Sequence, residues 1–293
     1  MKLLLLGSNG MLGQAVYKKF HNLGLEIYSA ARDNADYCLD FTDDMKLEKC
    51  ICGLCPDIVI NTVAIVDLGF CETNPGQAYL INTRIPGILT ELCRKYSNYL
   101  VQVSTDHYYC GDGAKKHSET DSVILLNEYA RTKYLGEQLV LTYKDSLVLR
   151  TNIIGFRGSK KPTLIEWAIN ELDKKTKLDL FVDFYTSSIY TEDFANILVD
   201  VLKKRPQGVF NLASSEVRNK RDFIVGLSKI LFNREPEYTE TSVKTITGAI
   251  RAESLGLDTS KIEELLGYKM PTFLDTMESI KRDYVERMKH NEV

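Results

Sequence analysis

The stretch "KLLLLGSNGMLGQAVYKKF", residues 2–20, decides the fold. Its leucine run, Leu3 to Leu6, shows no apolar–polar alternation and reads as a strand buried on both faces. A lysine followed by leucines is also how a signal peptide can begin, but four leucines running into glycine are too short for one. A helical pattern from about Met11 to Asn22 follows directly. Between strand and helix stand Gly7, Gly10 and Gly13 at G-x-x-G-x-x-G spacing. The first glycine permits a tight turn, the second lets backbone approach a pyrophosphate, and the third lets helix and strand pack closely. The unpaired N–H groups of the helix N-terminus then face the phosphates. A plain strand–helix turn does not need all three glycines, so a dinucleotide cradle is the expectation.

Working outward, short apolar strands alternate with helices. "LEIYSAA", "DIVINTVA", "YLVQVST" and "SLVLRTNIIG" read as strands, and a long helix is expected from about Pro75 to Tyr96. This is the pattern of an α/β, doubly wound parallel (Rossmann) sheet. After about residue 155 the order loosens, although "GVFNLAS" reads as a strand returning to the main sheet. The expected division is a dinucleotide-binding core over 1–155 and a smaller, mainly substrate-binding lobe over 156–293, with some segments returning to the core. Asp258 or Thr259 is the expected cap of the helix near "KIEELLG".

Bulk properties narrow the classes. Net charge is −3 over 293 residues, so no basic surface argues for nucleic acid. No apolar run is long enough to span a bilayer. Seven cysteines without disulfide spacing fit reduced thiols in the cytoplasm. Cys50, Cys52 and Cys55 invite a metal reading, but no second CxxC or histidine pair completes a tetrahedral site, and no metal is expected.

The cofactor's 2′ position is read near the end of the second strand, here "SAARDN". Arg32 suits a 2′-phosphate and Asp33 suits ribose hydroxyls. The expectation favours NADP(H) over NAD(H), through Arg32.

The segment "NEYARTKYLGEQLV", residues 127–140, places Tyr129 four residues before Lys133, one helical turn apart on one face. That pair is either packing or a proton donor beside a tuning cation. A phenol with an ordinary pKa near about 10 needs a neighbouring cation to exchange protons easily at neutral pH. "VQVSTDHYY" supplies Ser104 and Thr105 at the carboxyl end of a strand, where such sheets form their sites.

Taken together, "GSNGMLG", "YCLDFTD", "INTVAIVDLGFCETNP", "INTRIPG", "VSTDHYY", "YARTKYLGE", "VLRTNIIG", "GVFNLASSE" and "LGLDTSKIEELLG" resemble the dTDP-4-dehydrorhamnose reductase branch of the extended short-chain dehydrogenase/reductases. The resemblance implies an NADPH-dependent reductase of a nucleotide-linked 4-keto-(6-deoxy) sugar. It implies that Thr105, Tyr129 and Lys133 form the catalytic set. Gly10, Met11 and Leu12 would line the phosphates, Asp40 and Phe41 would lie near adenine, and Val63, Ala64 and Ile65 would border the cofactor. Asp106 would join Thr105 near the sugar, and Arg251 would meet a substrate phosphate. A homodimer through the helices near Pro75–Tyr96 and Glu128–Leu141 is implied as well. The departures cluster on the substrate side. His107 and Tyr109 replace common residues of the family, and "RAESL" stands for its R-P-x-N-S. Two alternatives share the fold. One is a sugar-nucleotide epimerase that recycles its cofactor. The other is a non-enzymatic, NADP-binding regulatory subunit like that of methionine adenosyltransferase.

Overall fold

The leucine run forms β1 (Lys2–Leu6), with Leu3 to Leu6 fully buried. In this computed structural model, which describes residues 1–158 and 161–290, the chain continues through α1 (Met11–Asn22), β2 (Glu26–Ala31), β3 (Tyr37–Cys38), α2 (Asp44–Leu54) and β4 (Ile58–Asn61). Then come α3 (Leu68–Thr73), α4 (Pro75–Tyr79), α5 (Ile85–Tyr96), β5 (Tyr99–Val103), β6 (Lys116–His117), α6 (Glu128–Val140), β7 (Ser146–Arg150) and β8 (Ile153–Ile154). The remainder comprises α7 (Leu164–Asp173), β9 (Leu178–Phe181), β10 (Tyr185–Thr186), β11 (Ile189–Tyr190), α8 (Thr191–Lys204) and β12 (Gly208–Asn211). It closes with β13 (Arg218–Asn219), α9 (Lys220–Phe232), β14 (Tyr238–Thr241), β15 (Ser254–Leu257), α10 (Ser260–Leu266) and α11 (Phe273–Lys289).

The described residues divide into two compact units. The first comprises Met1–Thr105, Leu125–Arg150 and Ala195–Phe210. Its seven-stranded sheet has the order β12-β7-β5-β4-β1-β2-β3, with parallel pairing from β7 through β3. Successive strands on either side of β1 run outward in opposite directions, which is the doubly wound topology expected from the alternating pattern. "GVFNLAS" returns to the edge of this sheet as β12. One face is covered by α2 and α5, whose Leu47, Ile51, Ile85 and Leu89 pack with Leu4, Leu6 and Val148.

The second unit comprises Asp106–Ile124, Thr151–Phe194 and Asn211–Val293. Its core joins α7, α9 and α11 through Ile165, Ile169, Leu227, Met277 and Ile280. A four-stranded sheet of order β13-β10-β15-β6 stands beside the pairs β11-β8 and β14-β9. Thr259 caps α10; its side chain accepts no first-turn N–H but donates to the Glu263 carboxylate within the helix at 3.1 Å.

Two expected elements are interrupted. The helix over Pro75–Tyr96 carries a π-turn at Leu80–Arg84. Pro86 explains it, because proline has no N–H for the carbonyl four residues back and its ring crowds that carbonyl. That carbonyl belongs to Asn82, and it lies against Gly136, where an added Cβ would come within 2.3 Å of it. The stretch "SLVLRTNIIG" is two strands, because the chain leaves the large sheet after Arg150 and pairs Ile153–Ile154 with Ile189–Tyr190.

Among the described residues, no helix is long and apolar enough to cross a membrane. Cys50 packs in the core of the first unit, while Cys52 and Cys55 are exposed at the end of α2. Cys55 takes the left-handed cap conformation there, with φ 50°.

Candidate active site

The glycine turn leaves β1 beside the end of β2, where the Gly7 N–H donates to the Ala30 carbonyl at 2.9 Å. Gly7 has φ +83°, and a Cβ there would lie 2.7 Å from the Thr62 hydroxyl. Gly13 has no room at all, because its Cβ would sit 2.2 Å from the Gly7 carbonyl oxygen. That is the close helix–strand contact the third glycine was expected to make. Gly10 caps α1 without any side-chain bond, so the first-turn N–H groups receive nothing from a capping side chain. Met11 is half-buried and Leu12 is buried. These features fit the phosphates of a dinucleotide.

Arg32 is exposed just beyond β2 and forms no hydrogen bond or ion pair among the described residues. Its neighbour Asp33 is engaged, accepting from the Asn9 amide of the glycine turn at 3.1 Å through its carboxylate and 2.7 Å through its carbonyl. Asp40 accepts from the Thr42 N–H and hydroxyl at 2.9 and 2.8 Å, and these bonds hold its carboxyl below the usual range. Phe41 turns its ring into the core with Leu39 and Leu47. Val63, Ala64 and Ile65 are half-buried in the segment after β4. Asn82, within the π-turn, clamps this segment by accepting from the Ile65 N–H at 2.8 Å and donating to the Ile65 carbonyl at 2.9 Å.

The carboxyl end of β5 gathers the remaining candidates of the first unit. Asn127 caps α6 by accepting from the Ala130 N–H at 2.8 Å, which fixes the start of the helix carrying Tyr129 and Lys133. The Lys133 ammonium donates to the Val103 carbonyl at 2.8 Å and is only 4% exposed. It is therefore anchored two residues from Thr105, which is buried, as is Tyr129. Burial pushes the Lys133 ammonium down to about 8, and the charge of Glu137, the next turn of α6, pulls the other way. Glu137 is fully buried. Its carboxylate accepts from Ser104 Oγ and from Arg150 Nε and Nη2, the latter two at 3.1 and 2.9 Å.

In the second unit, Asp106 is buried and accepts from Asn152 Nδ2 at 2.7 Å. His107 is held down to about 4 by burial and by the positive charges of Lys220 and Arg251, so its imidazole is neutral near pH 7. Arg251 is exposed, and among the described residues it forms no ion pair. Among the described residues, no group of three or more His, Cys, Asp and Glu side chains is placed to hold a metal ion.

A parallel sheet with this cradle fits many oxidoreductases, and the match to a family model decides among them. The RmlD substrate binding domain model matches residues 1–285. The chain belongs to that family. A probable low-salt glycan biosynthesis reductase, Agl14 of Haloferax volcanii, is 26% identical over 94% of this chain and 95% of its own. The dTDP-4-dehydrorhamnose reductase of Aggregatibacter actinomycetemcomitans is 25% identical over 97% of this chain and 99% of its own. The solved dTDP-4-dehydrorhamnose reductase of Bacillus anthracis, in complex with NADP, superposes with a TM-score of 0.85 at 20% identity, covering 98% of this chain and 99% of that one. This last likeness bears on the fold alone, and other solved chains of the same fold are in complex with NAD.

Several residues that contact the candidates within each unit escaped the motif reading. Asn82 stands in "INTRIPG" and Arg150 in "VLRTNIIG", stretches quoted without a role for either residue. Glu137 follows Lys133 by four, a spacing that signals a shared face and nothing about burial. Asn152 stands in the same "VLRTNIIG", again without a role, and Lys220 carries no motif signal.

Proposed function

We propose that this chain is an NADPH-dependent reductase of a nucleotide-linked 4-keto-(6-deoxy) sugar. The observation that carries the reading is the Lys133 ammonium anchored at the end of β5, with Tyr129 one turn away on the same face and Thr105 two residues beyond the anchoring carbonyl. A bound dinucleotide supplies the hydride that reaches the ketone carbon. Tyr129 gives its phenolic proton to the sugar oxygen, so the carbonyl becomes a secondary alcohol and the balance of one hydride and one proton is complete. Thr105 hydrogen-bonds the same oxygen. Lys133, positively charged below about pH 8, favours the phenolate left behind and holds the nicotinamide ribose. Gly10, Met11 and Leu12 carry the pyrophosphate at the N-terminus of α1. Arg32, with no partner among the described residues, takes the 2′-phosphate, while Asp33 is occupied with Asn9. NADP(H) is accordingly the preferred cofactor.

The test is NADPH consumption on a panel of nucleoside-diphosphate 4-keto sugars. At least one should be reduced, and Tyr129→Phe should lower that turnover by about a hundredfold or more at unchanged NADPH affinity, the scale for losing a general acid. No turnover on any member, or a Tyr129→Phe chain as active as the wild type, refutes this reading.

A further inference from the structure

The C-x-C-x-x-C run of Cys50, Cys52 and Cys55 takes no part in the chemistry above. The end of α2 divides it. Cys50 turns into the core of the first unit with Leu47, Ile51 and Leu54, while Cys52 and Cys55 are exposed. Burial pushes the Cys50 thiol up to about 11, so it stays protonated and inert. Cys71 is buried and pushed up to about 11 as well, and burial drives Cys93 further.

Residues three apart on an α-helix have Cα atoms about 5 Å apart, from its rise and radius. That lies inside the span of about 4.4–6.8 Å that a disulfide needs. Cys55 is the C-cap of α2, and only its own dihedrals, φ 50° and ψ 59°, leave the helix. Its thiol turns back and donates to the Cys52 carbonyl at 2.9 Å. The sulfur of one cysteine thus already lies against the backbone of the other. Gly53 stands between them, where a Cβ would meet nothing within 4 Å, so the turn has room and freedom to adjust. Both cysteine side chains are exposed, and exposed rotamers interchange rapidly.

The reduced pair has a structural role of its own. The last four carbonyls of a helix lack intrahelical N–H partners. At α2 the Cys55 N–H donates to the Ile51 carbonyl at 2.9 Å, and the Lys2 ammonium donates to the Leu54 carbonyl at 3.1 Å. The Cys55 thiol supplies the bond to the Cys52 carbonyl. Loss of that thiol proton leaves a carbonyl on a solvent-facing turn, where water can replace the donor.

We propose that Cys52 and Cys55 form a reversible disulfide by exchange with a small-molecule disulfide, so that the thiol cap of α2 is replaced by a covalent one. The Cys55 proton is engaged by the Cys52 carbonyl, which makes Cys52 the first nucleophile. Its thiolate attacks one sulfur of the small disulfide, and the leaving thiolate takes up the proton that Cys52 released. Cys55 then gives up its proton and attacks the Cys52 sulfur, and the second leaving thiolate takes up that proton. One external S–S bond breaks and one protein S–S bond forms, so the pair loses two electrons and the small disulfide gains them. The inference stands apart from the nucleotide-sugar reading.

The experiment uses the folded full chain carrying Cys38→Ser and Cys110→Ser, which removes the other thiols that solvent reaches. Oxidised glutathione is held well below the effective concentration of tethered groups, about millimolar. Intact-mass spectrometry and thiol titration should show both accessible thiols lost together, a mass lower by two hydrogens and no glutathione retained. Dithiothreitol should restore both thiols. Fragmentation should place the bond between Cys52 and Cys55. In the same background Cys55→Ser should retain one glutathione, on Cys52. A glutathione kept on each thiol, a bond to Cys50 or to a second copy of the chain, or thiols that stay free overturns the proposal.

Discussion

Removing the charge of Glu137 should affect the molecule in two ways at once. Its carboxylate is fully buried, and so nearly is Arg150, whose guanidinium reaches it at 2.9 and 3.1 Å. Glu137→Gln keeps the shape but leaves a buried guanidinium facing a neutral amide. Breaking one side of a buried pair costs about 3–5 kcal/mol. For a unit of this size each kcal/mol shifts the midpoint by about 2–4 °C, so thermal unfolding should begin roughly 6–20 °C lower. The second effect is on Lys133, which loses the charge that draws its ammonium upward against burial. Its folded value, already depressed to about 8, must fall further. The sign follows from linkage. The unfolded chain binds this proton more tightly than the native chain, so Lys133 makes the native state gain stability as pH rises from about 8 towards its ordinary value near 10.5. Function runs the other way. Sugar reduction should decline above about pH 8 in the wild type as the ammonium is lost, and Glu137→Gln should move that limb to lower pH. The assay pairs differential scanning calorimetry with kcat/KM across pH 6–10. The double variant Glu137→Leu with Arg150→Met separates the effects, because an apolar replacement of both partners should recover much of the lost stability without restoring the pH limb. A loss below about 1 kcal/mol together with an unmoved limb would falsify the reasoning.

The glycine turn makes a paired prediction. Gly10→Val should leave the fold intact and abolish NADPH binding measured by nicotinamide fluorescence, whereas Gly13→Ala should unfold the turn itself, since its Cβ would lie 2.2 Å from the Gly7 oxygen. Unchanged NADPH affinity in Gly10→Val removes the phosphate cradle, and a fully stable Gly13→Ala removes the packing argument. Arg32→Ala should weaken NADPH by roughly ten- to hundredfold and leave NADH nearly untouched. Equal losses for the two cofactors, or none, would make Arg32 a surface charge.

What the sequence determined by itself was whatever depends on near neighbours. Leu3 to Leu6 announce a buried parallel strand because nothing in the run alternates. Gly7, Gly10 and Gly13 announce a cradle because turn, approach and packing are satisfied within seven residues. Tyr129 and Lys133 announce a shared face because one helical turn separates them. Only the tertiary structure decided matters that join distant positions. Ser104 meets Glu137 across 33 residues, and Asn152 meets Asp106 across 46. The π-turn forms because Pro86 disrupts the helix ladder at Asn82 while Gly136 of another helix admits the Asn82 carbonyl. Lys220 looks, in sequence, like one more charged residue at a helix start. Its place against the Phe184 and Phe223 rings and Thr186 arises only when separate segments come together. Periodicity reports which face of an element is apolar. It does not report which charge is buried or what that charge touches, because burial is a property of the packed chain.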